Sequence, residues 1–296
     1  MSPAPMKTSS QNRADDLHLP DLGQLSEDGV VISHRPGKRA VVRRETPQGI
    51  YFIKVVRPGR AAKIMGGIRR AEPFDGPFRM PNVVDNTDST VTFDQLAGTS
   101  MHESELFAQQ EWAQAWSEFG QALVDVLSAT PSDCELVHRA EAEVRVLRQW
   151  FERSERELPH AGRTAAALER ISGQLLALPS ERLAPTHRDL HDKQLVWSPE
   201  LGPGLLDTDT VCLADPALDL GNLRAHAALR VRQGLWSTVQ AETVRFCLDS
   251  AAEQARVPRE SVAVYECAAT LRLSMVYALR PPYTKVAAEL GALVSL

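Results

Sequence analysis

The sequence predicts an α+β protein of two lobes, a small antiparallel β lobe followed by a larger and mainly helical lobe. Three observations support this fold class. β-type segments joined by short turns occupy residues 30–56, helical periodicity dominates beyond residue 98, and a polar loop followed by a hairpin pattern interrupts the helices at residues 186–209. The 296 residues are enough for two separate cores, and we expect an N-lobe over residues 23–97 and a C-lobe over residues 98–296.

The composition argues against several classes of protein. Hydrophobic residues make up 43% of the chain and charged residues 24%, which is typical of a globular domain in water. Residues 1–29 contain no apolar run resembling a secretory signal, and the most aliphatic stretch, 261–279, carries Glu266 and Arg272, so we expect no membrane span. The net charge of −5 argues against nucleic-acid binding. Four scattered cysteines predict free thiols, a cytoplasmic location and no zinc site (Cys134, Cys212, Cys247 and Cys267).

The N-lobe is predicted from alternation and turn signals. Residues 1–22 are polar and rich in Ser, Pro and Asp, and we expect them to be disordered or loosely ordered. The apolar runs after them predict an antiparallel sheet with one helix. The predicted strands lie at 30–32, 40–42, 50–56, 80–84 and 89–93, and the predicted helix lies at 59–72.

Charge is distributed unevenly between the two predicted lobes. Residues 35–70 contain eleven Lys or Arg and a single acid, Glu45, whereas residues 101–296 contain 19 basic and 27 acidic residues. The basic block is consistent with a solvated face, with a lobe that attracts phosphates opposite an acidic lobe that attracts a cationic acceptor, or with a docking surface for an acidic partner or peptide. Composition does not choose among these.

The C-lobe is predicted to be helical. Apolar residues at helical spacing indicate a first helix with a buried face (Leu106, Trp112, Trp116, Phe119, Leu123, Val126 and Leu127). Asp215 and Pro216 stand where a later helix begins, with Asp215 as its cap. Further helices are expected at about 139–157, 164–178, 236–256 and 259–280, followed by a tail from Tyr283.

The polar loop at residues 186–194 carries the chemistry. Apolar runs at 195–197 and 205–206 flank a Pro- and Gly-rich reversal and predict a hairpin, which would bring Asp189, Gln194 and Asp207 to one edge of a sheet. Phosphoryl transfer needs a base for the acceptor hydroxyl and oxygen ligands for Mg²⁺. Asp189 suits the base, and Gln194 and Asp207 supply a neutral and an anionic oxygen.

The spacing of this loop resembles that of a known fold. His187 and Asp189 are followed five residues later by the amide Gln194, and Asp207 stands 207 − 194 = 13 positions further on. This pattern resembles the catalytic loop of the protein kinase-like fold, and it is most similar to the aminoglycoside phosphotransferase and choline kinase-like family. His191, two residues after Asp189, favours that family over protein kinases. Asp215-Pro216 follows within eight residues of Asp207, which leaves no room for the long activation segment of a protein kinase and also favours that family.

The chain departs from the pattern of the family at two positions in this loop. Arg188 stands where the family usually has glycine. Gln194 stands where asparagine is usual, and its side chain is one methylene longer.

The resemblance implies a two-lobed protein kinase-like fold and Mg²⁺-dependent transfer of the γ-phosphate of ATP or GTP to a hydroxyl of a small molecule, such as an aminoglycoside, another antibiotic or a metabolite. It implies Asp189 as base and His187 as support of the loop. Asp219 would brace the loop backbone. The other implied site residues are metal ligands (Gln194 and Asp207, with Asp209 secondary), a phosphate contact (Lys54) and hinge residues that meet the nucleotide base (Asp94, Gln95 and Leu96).

Lys54 itself has two interpretations. An unpaired charge within an aliphatic and aromatic strand is costly. Alternation places Phe52, Lys54 and Val56 on one face, so the lysine either contacts phosphates or lies on the solvent face of an edge strand. Its place in the chain favours the phosphate role.

The sequence is also consistent with three other functions. The basic block fits a kinase of peptide Ser or Thr hydroxyls. Gln194, together with the absence of an assigned helix acid (Glu72 being the only acid in 59–72), fits a nucleotide-binding protein with impaired catalysis. A metal-dependent hydrolase would use His187, Asp189 and His191 as ligands. The expected partners are a nucleotide and a hydroxyl-bearing small molecule, with a peptide acceptor possible and with no nucleic acid or membrane.

Overall fold

A computed structural model of the chain describes residues 16–129, 136–179 and 182–294. The chain divides into two compact units. Unit 1 reaches to Arg69 and includes Met80–Ala97, and unit 2 comprises Arg70–Arg79 and the chain from Gly98 onward. Within the described ranges, no helix has both the length and the apolar character that a membrane crossing requires.

Unit 1 is built on an antiparallel sheet of five strands in the order β1-β2-β3-β5-β4. A short helix precedes the sheet and a longer one follows β3. The strands are β1 (Val30–Arg35), β2 (Arg39–Thr46), β3 (Gly49–Val56), β4 (Val83–Asn86) and β5 (Thr90–Asp94), and the helices are α1 (Leu22–Glu27) and α2 (Ala61–Arg70). The predicted sheet is present, and β3 is its central strand.

The two faces of this sheet form separate cores because side chains alternate along each strand. On one face, Ile53 and Val55 of β3 and Ala40 and Val42 of β2 pack against Leu19 and Leu22 of the N-terminal segment. The opposite face packs against α2 (Val56, Val91 and Phe93 with Ala61 and Ile64). Because Lys54 alternates with Ile53 and Val55, it belongs to the face that α2 covers.

The expectation of a loose segment over residues 1–22 is wrong for its last part. Residues 1–15 lie outside the described residues. Leu19 and Leu22 are fully buried against the sheet, and Asp16 accepts hydrogen bonds from the His34 ring and from the backbone N–H of Gly37 at 2.9 and 2.8 Å. The polar composition of residues 1–22 gave no indication that these two leucines belong to the core, because the residues they contact lie further along the chain.

Unit 2 is mainly helical and contains two small three-stranded sheets, β10-β9-β6 and β7-β11-β8. The helices are α3 (Gln109–Ser128), α4 (Ala140–Ser154), α5 (Ala161–Ala177), α6 (Ala217–Arg232), α7 (Thr238–Gln254), α8 (Arg259–Ala278) and α9 (Thr284–Val294). The strands are β6 (Thr99–Ser100), β7 (Val137–His138), β8 (Ala184–Thr186), β9 (Leu195–Ser198), β10 (Gly202–Leu205) and β11 (Cys212–Ala214). The α+β class, with the sheet before the helical region, is confirmed.

Aromatic side chains organise the core of unit 2. The Trp112 ring lies 5.8 Å from the Trp116 ring and 5.0 Å from the Trp236 ring, both edge to face. Of the residues predicted for the buried face of α3, Leu106 is the exception. It lies in a short 3₁₀ turn before the helix and is 63% exposed. Its spacing matched the helical pattern, but the helix begins only at Gln109.

Two predicted segment ends also differ from the structure. The reversal expected over 198–204 is shorter, because Gly202-Pro203-Gly204 forms part of β10. Pro203 is tolerated there because β10 is at the edge of its sheet, where a missing N–H disrupts no ladder. The tail expected from Tyr283 is the helix α9, which buries Val286 and Leu290.

Helix α6 packs closely against α8 at Gly221. A Cβ atom at Gly221 would lie 2.6 Å from the backbone N of Glu266 and 2.7 Å from the carbonyl carbon of Tyr265. Only glycine allows the two backbones to approach so closely. The Asp215 carboxylate accepts a hydrogen bond from the N–H of Ala217, the first residue of α6, at 2.8 Å. The predicted capping role of Asp215 is thereby confirmed.

Candidate active site

The hairpin brings two of the predicted ligands together. Strands β9 and β10 pair antiparallel with Leu195 opposite Leu205. At the open end of this pair, the N–H of Leu206 donates to the carbonyl of Gln194 at 2.8 Å. Gln194 and Asp207 are therefore at the same end of the hairpin, as the sequence predicts. A carboxylate and an amide supply the oxygen ligands that a hard cation such as Mg²⁺ prefers.

Asp207 occupies a left-handed backbone conformation, with φ 60° and ψ 51°. Aspartate tolerates this region better than most residues do. The chain then enters a 3₁₀ turn over Thr208–Thr210, which holds Asp209 half-buried. The conformation at Asp207 ends the strand and turns the following residues away from the ladder.

His187 ties the catalytic loop to the Asp207 segment. Its ring Nε2 donates to the carbonyl of Leu206 at 3.0 Å, and the hydroxyl of Thr210 donates to the His187 carbonyl at 2.8 Å. The imidazole is fully buried against the edge of Phe74. His187 is therefore a positioning residue. Asp189, two residues further on, is exposed.

Asp219 holds the backbone of the same loop. Its carboxylate accepts hydrogen bonds from the N–H groups of His187 and Arg188 at 2.6 and 2.8 Å. Burial raises the pKa of Asp219 to about 6, although both N–H groups favour the ionised form. Near neutral pH the group is mainly a carboxylate. The predicted bracing of the loop by Asp219 is confirmed.

Arg188 adopts a left-handed backbone conformation with φ 71°. A side chain at such a position costs roughly 1–2 kcal/mol relative to the right-handed region. This is the position where the resembled family usually has glycine, so the two observations agree. The carboxylate of Asp219 holds Arg188 in this conformation.

A buried ionic cluster lies behind the loop, and the sequence alone did not reveal it. Asp192 is 0% exposed and faces Arg230, which is 2% exposed. Arg230 Nε lies 3.0 and 2.9 Å from the two Asp192 oxygens, and Nη2 lies 2.8 Å from Oδ1. His102 Nδ1 lies 2.6 Å from Asp192 Oδ2. Burial opposes ionisation, but these partners hold the pKa of Asp192 well below its usual range.

His191, Asp192 and His226 also form a group that could offer ligands to a metal, since one atom of each lies within 4.8 Å of the others. The Arg230 guanidinium already neutralises Asp192, so a cation would meet a positive charge there. The hydrolase hypothesis is also weakened at His187, whose Nε2 is committed to the Leu206 carbonyl. Mg²⁺ prefers oxygen ligands, so this histidine-containing group suits it poorly.

In unit 1, Lys54 is not on an edge strand. It lies in β3, the central strand, directly opposite Val41 on one side and Val91 on the other. Its ammonium group lies 5.4 Å from the centre of the Phe93 ring, a distance at which a cation interacts with the ring face. The alternative of a lysine on a solvated edge strand is therefore wrong.

The predicted hinge residues follow β5. The Asp94 carboxylate accepts hydrogen bonds from the backbone N–H and the side-chain amide of Asn82 at 2.6 and 2.8 Å. The N–H of Gln95 donates to the carbonyl of Ile50 at 3.1 Å. The Asp94 side chain and the Gln95 N–H are thus engaged within unit 1. A contact with the nucleotide base in this segment would therefore use other backbone groups, including those of Leu96.

Comparison of the sequence with protein families gives one match. The model of the phosphotransferase enzyme family matches residues 34–246. That range contains Lys54, the catalytic loop, Asp207 and Asp219. A comparison with curated proteins gives no match.

Comparison with solved structures gives many similar folds. The aminoglycoside phosphotransferase APH(3'')-Id of Streptomyces rimosus is 19% identical, with a TM-score of 0.61 and coverage of 86% of this chain and 97% of that one. A second structure of that protein contains ADP and streptomycin. A choline kinase from Streptococcus pneumoniae is 14% identical, with a TM-score of 0.62 and coverage of 92% and 96%.

A macrolide 2'-phosphotransferase from Brachybacterium faecium is 16% identical, with a TM-score of 0.54 and coverage of 90% and 91%. At these identities the likeness concerns the fold. The predicted kinase-like fold is thereby confirmed.

Proposed function

Because the chain belongs to the phosphotransferase enzyme family, we propose that it transfers the γ-phosphate of ATP or GTP, with Mg²⁺, to a hydroxyl group of a small molecule. The enzyme class follows from the family. The nucleotide, the metal and the acceptor are the parts that we infer.

The position of Gln194 and Asp207 at one end of the hairpin, beside the hydrogen bond from Leu206 to Gln194, is the observation that carries this proposal. In this proposal the two side chains would hold Mg²⁺. Asp209, in the 3₁₀ turn that follows Asp207, is the secondary ligand. When bound, the metal would neutralise charge on the phosphates. Backbone hydrogen bonds position the two residues: the Leu206 N–H donates to the main-chain carbonyl of Gln194, and the His187 ring donates to the carbonyl of Leu206.

Asp189 is the proposed base. Its backbone follows Arg188, whose N–H is fixed by Asp219, and its side chain is exposed and so accessible to an incoming hydroxyl. Asp189 would orient the hydroxyl and accept its proton as the bond to phosphorus forms. His187 supports this residue through the loop and does not meet substrate.

The nucleotide contacts are proposed on the α2-covered face of the unit 1 sheet. Lys54 would contact the phosphates, and the backbone of the Asp94-Gln95-Leu96 segment would meet the base. The ADP bound to the aminoglycoside phosphotransferase from Streptomyces rimosus supports a nucleotide as phosphate donor.

For the acceptor, we infer a small molecule carrying a hydroxyl and a positive charge. The acid excess of residues 101–296, 27 acidic against 19 basic, favours a cation. Similar folds include enzymes named for aminoglycosides and for choline. We place the reaction in the cytoplasm, where the nucleotide is abundant and thiols such as Cys247 stay reduced.

Asp189→Asn tests this function. We expect turnover to fall by at least ~10²-fold, the usual scale for loss of a positioned proton acceptor. The assay measures nucleotide-dependent phosphorylation across a panel of hydroxylated cationic molecules, neutral molecules and Ser- or Thr-containing peptides. Asp125→Asn, on the exposed side of α3, is the matched control and should keep wild-type turnover. Wild-type turnover in folded Asp189→Asn protein would refute the role of the base.

A further inference from the structure

Helix α6 carries a stripe of four polar side chains along one buried face. Asp219, Asn222, His226 and Arg230 follow one another at intervals of three, four and four residues. Residues at these intervals lie on one face of a helix. All four side chains are buried. Such a stripe is costly unless each member has a partner.

The first half of the stripe holds the backbone of the catalytic loop. Asp219 accepts from the N–H groups of His187 and Arg188. One turn later, the Asn222 side-chain amide donates to the Leu190 carbonyl at 2.8 Å. The helix and the loop therefore run side by side in the same direction.

The second half of the stripe holds side chains of the loop. The His226 ring stacks on the His191 ring, with centroids 4.7 Å apart. One turn further, Arg230 binds both oxygens of Asp192. The order of contacts along the helix thus follows the order of residues in the loop, from 187 to 192.

Asp192 and Gln194 belong to the same short element. Asp192–Gln194 forms a single 3₁₀ turn, closed by a hydrogen bond of 2.8 Å from the Gln194 N–H to the His191 carbonyl. The Gln194 side-chain amide also lies 3.5 Å from the His191 ring. A shift of the Asp192 backbone would therefore move Gln194 with it, because both residues belong to this one turn.

We propose that Arg230 is a positioning residue of the phosphotransfer site, which fixes the orientation of Gln194 through Asp192. This inference rests on the proposed function, in which Gln194 is a metal ligand. Glutamine has one more rotatable bond than asparagine, so its oxygen needs a more rigid base to stay in place. The fork of Arg230 and the ring of His102 hold Asp192 from two sides and supply that rigidity.

Stability alone gives little reason for this ion pair. Buried ion pairs often contribute nothing net relative to apolar residues of similar volume, because both charges must be desolvated. Removal of one partner alone is strongly destabilising, since it leaves a buried charge. A double replacement therefore separates the positioning role from the stabilising one.

The test compares Arg230→Met, Arg230→Lys and the double variant Asp192→Leu/Arg230→Met in the full chain. The main measurement is Mn²⁺ binding in the presence of ADP, followed by electron paramagnetic resonance, with urea unfolding beside it. We expect the double variant to remain folded and to bind Mn²⁺ about 10-fold more weakly, as is usual for the loss of residues that orient metal ligands. Arg230→Lys keeps the positive charge and loses the forked guanidinium. Its Mn²⁺ affinity should lie between those of the double variant and wild type.

Arg224→Met is the matched control. Arg224 lies on the same helix, and its Nη1 pairs with Asp249 at 2.6 Å, away from the loop. Its Mn²⁺ affinity should equal that of wild type. A folded double variant with Mn²⁺ affinity within twofold of wild type would overturn the positioning role. Unchanged Mn²⁺ affinity in Asp207→Asn would instead refute the proposed metal ligands, so the two failures are distinguishable.

Discussion

At the scale of single residues, backbone strain is concentrated in the candidate site. Among the described residues, three other than glycine have positive φ, and two of them are Arg188 and Asp207. Such conformations cost about 1–3 kcal/mol each and persist only where surrounding contacts hold them. The Asp219 carboxylate provides one such contact at Arg188, and the His187–Leu206 bond provides another beside Asp207. Stabilising contacts and strain thus meet in the same loop.

His226 gives the free energy of unfolding a pH dependence that can be measured. It is buried with no hydrogen-bond partner on Nδ1 among the described residues. Burial, with the nearby His191 and Arg230, holds the pKa of His226 well below its usual value. Between the folded and unfolded pKa values the unfolded state binds more protons. The contribution of His226 to the free energy of unfolding should therefore fall as the pH drops below about 6.5.

We expect His226 to contribute a slope of up to about 1.4 kcal/mol per pH unit over this range, which is the effect of one proton. Urea unfolding of wild type and His226→Gln at several pH values between 7 and 5 measures it. The variant should lose the slope that His226 contributes and keep those of other groups. Equal slopes in both proteins would show that His226 is not held neutral in the folded state.

At the scale of elements, α6 links the fold to the chemistry. Its polar stripe holds the catalytic loop, and at Gly221 its backbone approaches α8. Most of the helix is buried, so its position is fixed by packing on several sides. A displacement of α6 would be transmitted to residues 187–192 through the hydrogen bonds of the stripe. Packing at Gly221 therefore bears on the site although Gly221 contacts no site residue.

Gly221→Ala tests this packing. The added methyl group overlaps the α8 backbone at Tyr265 and Glu266, so we expect a loss of about 1–3 kcal/mol in the free energy of unfolding. The matched control is Gly173→Ala in α5, where a Cβ has open space. That change should stabilise by about 0.5–1 kcal/mol through helix propensity. Destabilisation of both variants by the same amount would contradict the close approach of α6 and α8.

Across the whole chain, features that arise from neighbouring residues could be predicted from the sequence, whereas contacts between residues far apart in the sequence could not. The hairpin and the Gln194–Asp207 spacing were visible because they arise from neighbouring residues. The Asp192–Arg230 pair was missed because 38 positions separate its members. A signal for it was present: the 3-4-4 spacing from Asp219 to Arg230 places four polar side chains on one face of a helix.

The segment Arg70–Arg79 is a second example. It lies between elements of unit 1 in the sequence, yet it packs within unit 2. Phe74 lies against His187, and Phe78 stacks on Phe119 with ring centres 6.3 Å apart. A short segment with two aromatic residues and no periodicity gives no indication of its partners, so no pattern in the sequence could assign it.

In the proposed site, Gln194 and Asp207 would hold the metal that serves transfer to a hydroxyl at Asp189. Anomalous diffraction from crystals grown with Mn²⁺ and a non-hydrolysable ATP analogue tests it most directly. We predict an anomalous peak about 2.1 Å from oxygens of both Gln194 and Asp207, with the terminal phosphate facing Asp189. A peak at the cluster of His191, Asp192 and His226, with none at Asp207, would contradict the account.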